Sequence, residues 1–133
     1  MDRKRGLKLR DLAGPVLLLV LLLAGLLGSW QPARQQEAVA RQLEDCQWLA
    51  LSGQWQKARE GAQQAETDWN SRRVLWAALD DHRPMEDIDA LFGRLSAAAA
   101  AGERTEFAML CGELSRRIHT LAESQKLHWW NVL

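Results

Sequence analysis

Beyond Pro32 the apolar positions follow helical spacing almost to the C-terminus. Val39, Leu43, Cys46 and Ala50 recur at intervals of four, three and four, which places them on one side of a first helix running to about Leu51. Ser52-Gly53 interrupts that stripe. Trp55, Ala58, Ala62, Ala65, Trp69, Arg72, Trp76 and Leu79 then alternate at three and four, the seam of a long second helix in which only Arg72 is out of character. Asp80-Asp81-His82-Arg83-Pro84 breaks the pattern, because proline disfavours helix in the residue before it and suits the first turn of a new one. A third helix therefore starts near Pro84. Glu86, Asp87 and Asp89 occupy its opening turns, where the helix dipole favours negative charge, and Met85, Ile88, Leu91, Phe92 and Leu95 form its buried face. Ala97 to Ala101 extends it, and Gly102 stands where a helix-ending C′ residue belongs. The fourth helix turns Phe107, Leu110, Cys111, Leu114, Ile118 and Leu121 inward and carries Lys126 near its end, the charge that terminus favours.

Helices joined by such short connections lie antiparallel to their neighbours, so the pattern predicts an all-α fold, a small up-and-down bundle of about four helices. Composition agrees: Leu, Ala, Arg, Glu and Gln dominate while Tyr is absent, a balance that favours helix over strand. The two hairpins share a loose likeness, Ser-Gly-Gln-Trp against Ala-Gly-Glu-Arg-Thr-Glu-Phe, but two are too few for a solenoid.

The N-terminal segment has a different pattern. From Leu12 to Ala33 no residue carries a charge, and Val16 to Leu27 is almost entirely Leu, Val and Ala. That length matches the roughly 20 residues that cross about 30 Å of hydrocarbon as a helix. Pro15 stands near its start, where a missing N–H costs little, and Trp30 stands where an indole meets headgroups. The expected organisation is a basic cytoplasmic N-terminus over residues 1–11, a transmembrane anchor over 12–30 contacting membrane lipid, and an extracytoplasmic helical domain over 31–133. A cleaved signal peptide is the rival. It requires small residues at −3 and −1 just after the core, yet the sequence there reads Leu-Leu-Gly-Ser-Trp-Gln-Pro-Ala, and Ala38-Val39-Ala40 lies too far downstream. The first bundle helix either starts after Pro32 or continues directly from the span.

Charge fixes the orientation. The chain is formally neutral, but Arg3, Lys4, Arg5, Lys8 and Arg10 against Asp2 and Asp11 leave the first 11 residues at +3 and the remainder at −3. Lys and Arg clustered before a span predict that side to be inside, with everything after Trp30 outside. The negative remainder argues against a nucleic-acid partner, which requires a basic face on the folded part.

Candidate chemistry is sparse. His82 with Glu86 and His119 with Glu123 are each four apart and share a helix face, but a di-metal carboxylate bundle needs Glu-x-x-His pairs plus further glutamates, and neither segment supplies them. No metal or cofactor is expected. No serine or cysteine has a recognisable base and orienting partner, and no Gly-rich phosphate loop is present, so no enzyme is expected. Cys46 and Cys111 fall on the inward stripes of the first and fourth helices and are either a disulfide on the oxidising face or two small hydrophobes.

Seven tryptophans divide into groups. Trp30 belongs to the membrane interface, Trp55, Trp69 and Trp76 share the second-helix seam, and Trp48 lies off the first-helix stripe. Trp129 and Trp130 cannot both be buried by one helix face. One of them therefore either folds back onto the bundle or stays exposed; in the exposed reading they form, with Val132 and Leu133, an apolar tail that is the candidate partner contact.

A basic start, one span, a tryptophan-bearing helix, an Asp-His-x-x-Met/Ile-x-Asp-Ile stretch and an Asn-Ile/Val-Leu terminus together resemble a family of short membrane-anchored proteins of Firmicutes that is described as a domain of unknown function. The matching residues are Trp76, Asp81, His82, Ile88, Asp89, Asn131, Val132 and Leu133. Pro84 stands where that family more often has an acidic residue, which makes the helix break firmer here. The resemblance implies a helical extracytoplasmic domain with no assigned activity. The expected function is a membrane-tethered interaction or accessory protein of the cell envelope, docking on another membrane or envelope protein through the Trp129 to Leu133 tail or the loop around Asp81 to Pro84. The alternative is an extracytoplasmic sensor that takes a small ligand or metal between its helices.

Overall fold

The structure, a computed structural model, describes the backbone of residues 3–77 and 83–132 and the side chains of 11–26, 34–73 and 83–127. Over these residues it holds four helices, α1 (Arg3–Leu51), α2 (Trp55–Ala77), α3 (Arg83–Ala101) and α4 (Arg104–Val132). The chain divides into two compact units, a leader over Met1–Pro32 and a bundle over Ala33–Leu133. Both expectations of the first helix are thereby decided: α1 runs on from the leader, and it ends at Leu51 as the stripe required.

In the leader, Leu12, Val16 to Leu23 and Leu26 have exposures of 50–64 %. Eight consecutive residues cover every heading around a helix at 3.6 residues per turn, so the leader presents apolar side chains on all sides. Among the described residues no helix is long and apolar enough to cross a membrane. The described leader side chains stop at Leu26, and those of 27–30, the rest of the expected 12–30 span, lie outside them.

The bundle buries the stripes the periodicity marks. Val39, Leu43, Cys46 and Ala50 of α1 meet Ala58, Ala62, Ala65 and Trp69 of α2, Met85, Ile88, Leu91, Phe92 and Leu95 of α3, and Phe107, Leu110, Cys111, Leu114, Ile118 and Leu121 of α4 in one core. Polar contacts give the order around the bundle. Gln42 Nε2 donates to Gly61 O (3.2 Å), linking α1 to α2, and Ser96 Oγ donates to Glu66 Oε2 (2.9 Å), linking α3 to α2. Arg94 pairs with Glu106 (3.1 Å) and Arg117 with Asp87 (3.8 Å) between α3 and α4, and Lys126 pairs with Glu37 between α4 and α1. Between α3 and α4 the partner numbers run oppositely, 94 with 106 and 87 with 117, so this pair is antiparallel.

Both helix turns use one motif. Gln54 N–H donates to Leu49 O (2.9 Å) and Gly53 N–H to Ala50 O (3.4 Å), while Glu103 N–H donates to Ala98 O (3.0 Å) and Gly102 N–H to Ala99 O (3.3 Å). These are the paired bonds of a Schellman ending, which requires a left-handed residue, and Gly53 (φ 83°) and Gly102 (φ 71°) supply it. The next helices start on the same register, with Ala58 N–H donating to Gln54 O and Phe107 N–H to Glu103 O. The loose likeness of the two hairpins is therefore a shared turn. Trp55 packs edge-on to Phe107 at this end of the bundle, ring centroids 4.9 Å apart at 75°, and the Arg104 guanidinium lies 5.5 Å from the Trp55 ring centre.

Two interior glycines mark close helix approaches of opposite tolerance. A Cβ on Gly61 of α2 would lie 2.6 Å from the buried Cys46 Sγ of α1. A Cβ on Gly112 of α4 would lie 2.7 Å from Gln47 Nε2, the mobile end of a half-buried side chain. Gly61→Ala therefore costs about 1–3 kcal/mol of overpacking, whereas Gly112→Ala is neutral or gains about 0.5–1 kcal/mol of helix propensity. Thermal melts of the two variants in the full-length chain check this. If Gly61→Ala melts at or above Gly112→Ala, α1 and α2 do not approach at Cys46.

Candidate interaction site

Chain entry and helix direction bring one set of functional groups to the Ala33 end of the bundle. They come from the start of the α1 segment in the bundle, the later turns of α2 and α4, and the first turns of α3.

Asp89, on the partly exposed flank of the first α3 turns, reaches α2. Its Oδ1 accepts the Trp69 Nε1–H bond at 2.9 Å, and Arg73 Nη2 lies 2.7 Å from its Oδ2 as an ion pair off the line of a hydrogen bond. A fully buried indole needs such an acceptor, because an unmet N–H in the core costs about 1–3 kcal/mol. Asp89 is thus a positioning residue for Trp69, beside the buried Ile88.

Gln36, at the start of the bundle's α1 stripe, is fully buried with neither its Nε2 nor its Oε1 hydrogen-bonded. Burying an amide without partners costs about 1–3 kcal/mol per mutational scale. Gln36→Met keeps the length of the side chain and removes the polar atoms, so it is expected to raise stability by about 1–3 kcal/mol, or several degrees in Tm. Urea melts of the full chain in neutral detergent check it; a destabilised Gln36→Met would mean that the amide is engaged in solution.

On the next residue, the Lys126 ammonium is hydrogen-bonded to Glu37 and holds its carboxyl below the ordinary value against the opposing effect of partial burial. The contribution of this pair is present above the ordinary carboxyl range and is lost as pH falls through the lowered value.

Of the tail residues named from sequence, Trp129, Trp130 and Val132 lie in the α4 helix, but their side chains are outside the described residues, as is Leu133 altogether. The Asp80 to His82 loop and the Trp76 and Leu79 side chains also lie outside them. Trp69 belongs to the core cluster, and Trp55 is partly buried against that cluster beside Phe107. Trp48 is exposed, as its place off the stripe implies, together with Leu51 and Met109.

Cys46 and Cys111 are both buried free thiols. Burial pushes the Cys46 thiol up to about 11, with the Asp45 charge adding to it. Burial pushes the Cys111 thiol still higher, with Cys46 as the second cause. Both are protonated at neutral pH and behave in this structure as small hydrophobes; no bridge joins them.

His119 pairs with Glu123 at 3.5 Å on exposed surface, an ordinary contact one turn apart. Among the described residues no group of three or more His, Cys, Asp or Glu side chains is placed to hold a metal.

Two grooves flank α4. One, of about 680 Å³, runs between α1 and α4, where Arg41, Arg94 and Arg116 face Glu44, Glu106 and Glu113, so its charges balance. The other, of about 410 Å³, lies between the first turn of α3 and the later turns of α4 at the Ala33 end.

Sequence reasoning missed Gln36, Ala40, Ala98, Ala108 and Ala122 as interior residues, all of them buried. For Gln36 a signal was present, since it stands three before Val39 on the same stripe.

The class so defined is an all-α bundle preceded by an apolar helical segment. Residues 33–132 match a family described as a domain of unknown function, DUF4363, and the chain belongs to that family. The match begins at Ala33, where the bundle also begins. No curated protein and no solved structure matches the chain.

Proposed function

We propose that this protein is a membrane-tethered, non-catalytic interaction or accessory protein of the bacterial cell envelope, anchored through residues 12–30 with its bundle on the extracytoplasmic side. The observation that supports this reading is the leader, whose described leucines and valines are half or more exposed around the whole helix. A helix that is apolar on every side needs an apolar surrounding, and single soluble chains rarely expose so large a patch to water. The uncharged run continues in sequence to Ala33, long enough for a span, and the basic residues before it set the orientation. The docking element in this reading is the C-terminal segment Trp129 to Leu133, which holds two tryptophans.

The experiment has two readouts on the full-length chain in native membranes. The protein is expected to resist alkaline carbonate extraction with its N-terminal residues intact, and external protease is expected to reach the bundle. Deleting Trp129 to Leu133 is expected to abolish co-purification of a membrane partner while helicity by circular dichroism is unchanged. A mature protein that begins after residue 30 would overturn the tether; loss of helicity on deletion would make the tail part of the core.

A further inference from the structure

The groove between α3 and α4 departs from the charge of its surroundings. Residues 12–133 are net negative, yet the groove is lined by Arg83, Arg116 and Arg117 against one acid, Asp87. Arg117 is held in place by Asp87 (3.8 Å) and Glu113 (3.2 Å). Among the described residues Arg83 and Arg116 have no ion pair; Arg83 lines this groove alone, and Arg116 lines both grooves. The rest of the lining is Pro84, the buried Ile88 and Leu121, and the hydroxyls of Thr120 and Ser124.

A guanidinium binds phosphate in a planar, two-pronged geometry, and an apolar floor beneath an arginine rim suits a ligand that is anionic at one end and hydrocarbon at the other. Position narrows the choice. The groove takes the first turn of α3 and the α4 segment that approaches Lys126, whose partner Glu37 lies four residues after the bundle begins. The chain therefore enters the bundle at the groove's own end.

We propose that this groove holds the phosphate of an anionic phospholipid between Arg83 and Arg116, with the first part of an acyl chain along Ile88 and Leu121. The inference rests on the tethered reading, which brings that end of the bundle within a few residues of the bilayer surface. Arginines at such a surface gain from the negative potential of anionic lipid as well as from direct contact. The groove adds a specific seat to that general attraction.

The test uses the full-length chain in neutral detergent, titrated separately with dihexanoyl phosphatidylglycerol, dihexanoyl phosphatidylcholine and glycerol 3-phosphate, and followed by thermal melting. Phosphatidylglycerol is expected to raise Tm progressively, because a ligand that binds only the folded state stabilises it. Phosphatidylcholine and glycerol 3-phosphate are expected to leave Tm unchanged. Arg83→Gln and Arg116→Gln, made singly on exposed side chains, are each expected to weaken the phosphatidylglycerol response about tenfold with unliganded Tm unchanged.

Equal shifts with phosphatidylcholine, or full retention of the response in both variants, would overturn the proposal. A glycerol 3-phosphate shift as large as that of the lipid would assign the groove to a free phosphate compound and overturn the lipid source. A chain that stays soluble without detergent but still responds to phosphatidylglycerol through Arg83 and Arg116 would refute the tether and leave the seat standing.

Discussion

Trp69→Ala is expected to lower the stability of the bundle by about 3–5 kcal/mol, the range for removing a large aromatic side chain from a core. Three features put it at the upper end. Trp69 is fully buried, it packs near Phe92 with ring centroids 6.2 Å apart, and its indole N–H is donated to Asp89. Truncation opens a cavity between α2 and α3 and also removes the hydrogen-bond donor of a carboxylate whose side chain is only 24 % exposed. Against a total of about 5–15 kcal/mol for a single domain, that loss removes a large share of the margin. Trp69→Phe separates the two contributions, since it keeps most of the ring volume and loses the hydrogen bond, with an expected cost of about 1–3 kcal/mol. Urea melts of the full chain followed by circular dichroism give both values. A cost below about 1 kcal/mol for Trp69→Ala would show that α3 does not close over this residue.

The second large effect concerns the leader. Leu19→Arg combined with Leu22→Arg places two cations one turn apart in the middle of the apolar run. Each Arg near the centre of a span costs about 2.5–3.5 kcal/mol on insertion scales. Membrane retention is therefore expected to fall by orders of magnitude, with the double variant recovered outside the carbonate-resistant pellet. Bundle melting is expected to be unchanged, because the substituted residues belong to the other compact unit. Leu19→Phe combined with Leu22→Phe controls for side-chain bulk and should stay in the membrane. Retention of the arginine variant at wild-type level would mean that the leader is held by something other than lipid hydrocarbon.

Most of the bundle was legible because its helices are long enough to repeat their apolar stripe several times. Every α3 and α4 residue named as inward from spacing is buried, as are Val39, Leu43, Cys46 and Ala50 of α1. The turn at Gly102 was legible for a different reason: a Schellman ending needs a residue that accepts positive φ, and glycine after an alanine run advertises one. What periodicity does not carry is the identity of a partner on another helix. Asp89 reads from sequence as one of several acids favouring a helix start, and only the structure shows it satisfying Trp69 twenty positions earlier. Gln36 illustrates the opposite limit, a residue on the right stripe whose polarity argued against the interior it occupies. α4 runs on to Val132, past the Lys126 that the sequence placed near its end, so Trp129, Trp130 and Val132 of the candidate docking tail are helical, with their side chains outside the described residues.

The circular arrangement of the four helices has a kinetic corollary. Three of its seams join helices adjacent in the chain, so each closes over a short loop and loses little chain entropy in doing so. The fourth, between α1 and α4, is fastened by Glu37 with Lys126 and by the Gln47 to Gly112 approach, partners separated by most of the domain. Of the four seams it closes the longest loop and so costs the most chain entropy, and it lies beside the unsatisfied Gln36. Amide exchange of the full-length chain is therefore expected to be faster along this seam than within the two hairpins.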